Sequence, residues 1–187
     1  MARVSKTRLF EREADAVARA LIGKTIERYV ADSDHPINAR IIAAGAYEGL
    51  TGNRKEQEGM HSPPGIIYLM PQRGNLSLNF GTESAEAASV VSILGLEQRT
   101  GTGTEYIVGP GRVTKFLQID TRFDGMSLDD LFDLVSKGRS ARSMIERAED
   151  GQRIGTGSGA GYVHYSGNCT AIYVYGGAII RKEHGDR

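Results

Sequence analysis

The stretch IIAAGAYEGLTG, Ile41–Gly52, decides how this chain is read. It runs apolar from Ile41, reaches a large amphipathic side chain at Tyr47, and breaks at Gly49 and Gly52. An apolar run closed by glycines predicts a strand, here Ile37 to Tyr47. Tyr47 stands at the strand end, where ligands are commonly met. Strand side chains alternate between faces, so the neighbour of Tyr47 on its own face is Gly45, which has no side chain. The question is what a chain would set beside a site-lining tyrosine, and why that group is missing.

Working outward, Phe10, Ala14, Val17, Ala18 and Leu21 follow helical spacing, closed by Gly23. Lys24 to Ala31 reads as a strand with Ile26, Arg28 and Val30 on one face. Residues 49–65 are rich in glycine and charge and read as a surface loop. Ile66 to Met70 and Leu76 to Phe80 read as a hairpin around PQRGN. SAEAASVVSILGL, 84–96, fits helix by its alanines and strand by SVVSIL. Pro110 to Ile119 reads as a short helix with Pro110 in its first turn. Ser127 caps a second, SLDDLFDLVSK, whose early aspartates suit the helix dipole. Ser140 to Asp150 predicts a third, and GAGYVHYS and TAIYVYGGAII two last strands. The expected fold class is α+β: a single domain over 1–187, a curved antiparallel, barrel-like sheet with flanking helices.

Composition narrows the function. The chain has 187 residues, enough to bury a core without disulfides or metal. Formal net charge is zero, so nucleic acid or an anionic membrane would have to be met by a local basic patch. The single cysteine, Cys169, excludes a disulfide framework and a thiolate-rich zinc site. No His/Asp/Glu cluster has metal spacing, and no apolar run reaches membrane-spanning length. The expectation is a cytoplasmic monomer with no cofactor, no metal and no membrane association.

The order of motifs then brings a resemblance. LIGKTIERYV is similar to a pattern LLGK.LVR, and IIAAGAY.G to I.ETEAY.G. GM followed by PGIIYL resembles GMF..PGTLYVY, and RGNLSLN resembles YGMHYCLN. GLE resembles ALEP, and VGPGRVTKFLQID resembles GPGKLC.ALGI; RIGTGSGAG and IYVYG complete the series. Collinear from about Leu9 to about Gly177, the chain resembles the 3-methyladenine DNA glycosylase family of the alkyladenine type. That resemblance implies excision of alkylated or deaminated purines from duplex DNA. The nucleotide would be extruded into a pocket while a hairpin side chain fills the gap, and a strand glutamate would activate the attacking water.

Several positions depart from that pattern. The water-activating glutamate falls on Gly45, while the stacking tyrosine is kept as Tyr47. The second pocket aromatic falls on Met70, the pocket asparagine on Asn79, the wedge tyrosine on Arg73 and a basic residue on Leu94. The resemblance therefore implies a base pocket of Gly45, Tyr47, Met70 and Asn79. DNA contacts would come from Gln72 and Arg73 at the hairpin and from Gly109, Gly111, Arg112 and Lys115 at the helix start. Losing a general base costs about 10²–10⁴ in rate, so weak or narrow activity is expected. Glu48 is the nearest substitute acid; alternation points it to the other face unless a bulge at Gly49 re-aims it, and otherwise it is a solvated glutamate. Glu56 and Glu58 lie on the loop. Each remaining candidate also has a plain structural reading: a barrel-closing Tyr47, a core Met70, an Asn79 that serves the backbone, and solvated Arg73, Arg112 and Lys115. Three readings stay open: a glycosylase, a non-catalytic binder of damaged DNA or nucleotide, and a scaffold that has left nucleic acid.

Overall fold

The computed structural model describes residues 7–31, 33–48, 61–72, 74–135, 161–166, 171–175 and 178–182; side chains are described through residue 135, apart from that of Glu48. The fold is α+β. Its spine is two twelve-residue antiparallel strands, β2 (Ile37–Glu48) and β5 (Ser89–Thr100), with Gly45 opposite Ser92 and Glu48 opposite Ser89. Each spine strand has two neighbours in series along its outer edge. β1 (Thr25–Arg28) pairs with the first third of β2, and β8 (Gly161–Ser166) runs parallel to Ala43–Glu48. On β5, β4 (Asn75–Gly81) covers Val90 to Ser92 and β6 (Gly103–Val108) covers Gly95 to Thr100. β3 (Ile67–Gln72) and β7 (Asp133–Val135) extend the sheet to the order β3-β4-β5-β2-β1-β7. Register shifts around Ile41 and Ala43 bulge β2, the kind of break that bends a strand and lets it change neighbours.

One face of the sheet holds the core. α1 (Thr7–Phe10) and α2 (Ala14–Leu21) bring Phe10, Ala14, Val17, Ala18 and Leu21 into it, as the spacing predicts, although the helix is broken between Phe10 and Ala14. Phe10 and Phe132 pack on Phe80 with ring centroids 5.4 and 6.1 Å away. Burying an aromatic ring of this size is worth about 1.5–3 kcal/mol, so this trio anchors the helices to β4.

Pairing across the sheet overrides several local readings. The 84–96 segment becomes β5, with one 3-10 turn at Ala85–Ala87, because both edges of SVVSIL find strands. The helix from Ser127 stops early: α4 is Leu128–Leu131, and Asp133–Val135 peels off to pair with Thr25–Glu27 as β7. Lys24 to Ala31 shortens to β1, where Ile26, Glu27 and Arg28 are all buried, so the expected alternation fails. The helix from Pro110 ends at Phe116 and is α3 (Pro110–Phe116). The final apolar run splits into a hairpin of β9 (Ala171–Tyr175) and β10 (Ala178–Lys182). The helix read at 140–150 and loop residues 49–60, with Glu56 and Glu58, lie outside the described residues.

Candidate functional site

The sheet's other face carries the candidate site. Core-side positions such as Ala44, Ala46, Val91, Ile93, Leu78 and Phe80 alternate with a second set that has no aliphatic uniformity. Across four strands Gly45 is level with Ser92, Ser92 with Asn79, and Asn79 with Tyr68. Residues paired in this way point to one face. Tyr47 follows Gly45 by two positions, Leu94 follows Ser92, Ser77 precedes Asn79, and Met70 is paired with Ser77. The structure thus gathers Gly45, Tyr47, Met70 and Asn79 on one surface.

The blank at Gly45 is filled from within. A Cβ built there would lie 2.8 Å from Tyr47 Cε2, 3.0 Å from its hydroxyl and 3.2 Å from Leu94 Cδ1. The Tyr47 ring leans back along its own strand and occupies the room a residue-45 side chain would need. Leu94 closes the other side. Glu48 ends β2 at the alternation position of Ala44 and Ala46, and its side chain lies outside the described residues.

The polar floor is tied down by short-range bonds. The two hydrogens of Asn79 Nδ2 are shared among Tyr68 O, Ser77 O and Ser77 Oγ, each 3.1 Å from the nitrogen. Ser77 Oγ donates to Met70 O at 3.3 Å. These bonds satisfy the buried amide nitrogen and lock the asparagine against the β3–β4 hairpin. One end of the face is walled by backbone: a Cβ on Gly81, level with Val90 and hence Tyr47, would lie 2.2 Å from Ser62 O and 2.3 Å from Pro63 O. His61, beside that wall, is exposed and bonds Ala85 O through Nδ1 at 2.7 Å.

At the opposite end β4 and β6 part, and α3 sits in the gap. Gly109 N–H donates to Leu94 O at 2.9 Å, and Thr114 Oγ1 donates to Leu76 O at 3.1 Å. Gly111 lies so close to Asn75 that a Cβ there would be 2.6 Å from Asn75 Cβ. Val113 and Leu117 enter the core, which leaves Arg112 and Lys115 exposed. The hairpin end with exposed Gln72 is therefore brought to the helix carrying these two cations. Arg73 lies outside the described residues.

Arg28 holds the far end of α3. Its guanidinium donates to the carbonyls of Leu117 and Gln118 and lies 4.6 Å from the Phe123 ring centre. Burial lowers the Arg28 pKa from its ordinary value, and Asp120 opposes that fall. The Asp120 carboxyl is held down at about 2, chiefly by hydrogen bonds from the Arg122 side chain and backbone. Glu97 is committed elsewhere, 2.6 Å from Arg40 Nη2. Among the described residues no group of three or more His, Cys, Asp or Glu side chains is placed to hold a metal ion, and no helix is long and apolar enough to cross a membrane.

Comparison with known proteins fits this arrangement. The family described as Methylpurine-DNA glycosylase (MPG) matches residues 8–165. The chain belongs to the methylpurine-DNA glycosylase family. A protein of Synechococcus elongatus bearing the provisional name 3-methyladenine DNA glycosylase is 35% identical over 127 residues, covering 63% of this chain and 63% of that protein. The chain thus spans somewhat under two thirds of the relative it matches. Within this methylpurine-DNA glycosylase scaffold, sequence reading missed Ser92, Ser77 and Tyr68 as members of the polar face. The serines were legible in principle, since SVVSIL alternates Ser92 against Val91 and Ile93 once it is known to be strand.

Proposed function

We propose that this protein is a DNA glycosylase-like factor of base-excision repair. It takes an extruded alkylated or deaminated purine from duplex DNA onto the face of Gly45, Tyr47, Met70 and Asn79. The observation that carries the reading is the in-register gathering of these four residues, in a chain of this family, beside a helix that exposes Arg112 and Lys115. Tyr47 stacks on the base, Asn79 shapes its floor, and Gln72, Arg73 and the start of α3 track the phosphates. The substrate is duplex DNA carrying a damaged base.

Hydrolysis of the N-glycosidic bond passes through an oxocarbenium-like state that a nearby carboxylate stabilises while it takes the proton of water. Position 45 supplies none. Excision is accordingly slow and confined to bases with labile bonds, and recognition of damage outlasts cleavage. The filling of the residue-45 space by Tyr47 and Leu94 favours a second reading, damage binding without cleavage. Single-turnover alkaline cleavage of duplex containing hypoxanthine or an alkylated purine separates them. Wild type is expected to cleave the labile alkylated base slowly and hypoxanthine hardly at all. Gly45→Glu should raise the rate by up to roughly 10²–10⁴ as the Tyr47 ring swings aside. An unchanged rate in a folded, DNA-binding Gly45→Glu protein would refute position 45 as the catalytic slot.

A further inference from the structure

We infer that Arg28 is a positioning residue for DNA binding: from β1 it fixes the last turn of α3 so that Lys115 meets a phosphate, an inference that rests on the proposed function above. α3 has seven residues, too few to hold a helix in water unaided, so its aim depends on what grips it. Its start is gripped by the sheet, through Gly109 N–H on Leu94 O, Thr114 Oγ1 on Leu76 O and the close approach of Gly111 to Asn75. Its end is closed by a reversing turn. Gln118 N–H donates to Lys115 O at 3.1 Å and Ile119 N–H to Thr114 O at 2.8 Å, a pair of bonds that puts residue 118 in the left-handed region. Glycine is the usual occupant of that position. Here it is Gln118, at φ +52°.

The turn leaves the carbonyls of Leu117 and Gln118 over, and Arg28 Nη1 donates to both. A cation also suits the negative end of a helix. Arg28 is 5% exposed, so it is not placed to meet a phosphate itself. Its Nε is buried with no hydrogen-bond partner among the described residues. A buried guanidinium with an idle N–H is a costly clamp, and glycine at 118 would close the same turn without it. Two local rules are thus broken at one point, a pattern met where function sets the geometry. What the clamp serves lies on the outside of that turn. Lys115 is exposed, and its own carbonyl helps to close the turn; Arg112 lies one turn nearer the gripped start. Loosening Arg28 therefore displaces Lys115 and spares Arg112.

The test titrates a hypoxanthine-containing duplex across a salt series, well below each protein's thermal midpoint. Arg28→Met is expected to weaken binding about three- to tenfold, the worth of one phosphate contact, and to lower the slope of log affinity against log salt by about one. Lys115→Ala should cost as much in the wild type, and less than about twofold once Arg28→Met is present; Arg112→Ala should cost the same in both backgrounds. Gln118→Gly, which closes the turn without the clamp, should restore most of the affinity and slope to Arg28→Met. Arg28→Lys, which keeps the charge on a single ammonium, gives the same comparison with a smaller loss where Arg28→Met does not fold. A folded Arg28 variant with a lowered midpoint but wild-type affinity and salt slope would overturn the assignment and leave Arg28 purely structural. The full cost of Lys115→Ala in both backgrounds would overturn it too. A wild-type protein with no salt-dependent binding would instead remove the underlying reading.

Discussion

Replacing Gly45 by alanine sets a methyl carbon 2.8 Å from Tyr47 Cε2, 3.0 Å from its hydroxyl and 3.2 Å from Leu94 Cδ1. Real Cβ atoms do not tolerate the first of these distances, so the tyrosine ring has to move. Overpacking of this kind costs about 1–3 kcal/mol, much of it the price of driving a ring off its rotamer. Against that, the Gly45 backbone suits any residue, so alanine gains about 0.4–1 kcal/mol by stiffening the unfolded chain. The net expectation is a loss of about 1–2 kcal/mol, which lowers the thermal midpoint of a protein this size by about 3–6 °C. In a Tyr47→Ala background the two nearest obstacles are gone, and Gly45→Ala should be close to neutral. Thermal or urea unfolding of the four proteins in this cycle gives the coupling, expected to be about 1 kcal/mol or more. Equal effects of Gly45→Ala in both backgrounds, within about 0.3–0.5 kcal/mol, would refute the claim that Tyr47 fills the residue-45 space.

Glu97→Ala leaves the largely buried Arg40 without its carboxylate, 2.6 Å away, and should cost about 3–5 kcal/mol in urea unfolding; a loss under about 1 kcal/mol would refute a buried pair. The Asp120 carboxyl, held at about 2 against an ordinary 3.8, lends stability that is full above about pH 4 and is lost as pH falls toward 2. Wild type should therefore lose more thermal midpoint than Asp120→Asn between pH 4 and 2, by a small margin because the pair is exposed; parallel curves would contradict it.

The hairpin around PQRGN, the burial of Phe10, Val17 and Leu21, and the helix at Pro110 follow from local pattern, because turn chemistry and helical spacing act over a few residues. The early end of α4 was not legible, since Asp133–Val135 is strand only by virtue of β1, a hundred residues away in sequence. Within the site, alternation placed Gly45 and Tyr47 on one face, and the sequence showed that position 45 was blank. Why it is blank was not readable: the Tyr47 ring folding back over Gly45 is a rotamer choice made against Leu94, a residue of another strand. That packing is a property of a register between strands, which no single strand encodes.

The central claim is that the face carrying Gly45, Tyr47 and Asn79 receives a base drawn out of duplex DNA. Equilibrium titration of damaged against undamaged duplex, across a salt series, tests it most directly. The account predicts tighter binding to the damaged duplex, weakening as salt rises because Arg112 and Lys115 meet phosphates. Equal affinity for the two duplexes, or no salt-dependent binding to either, would contradict it.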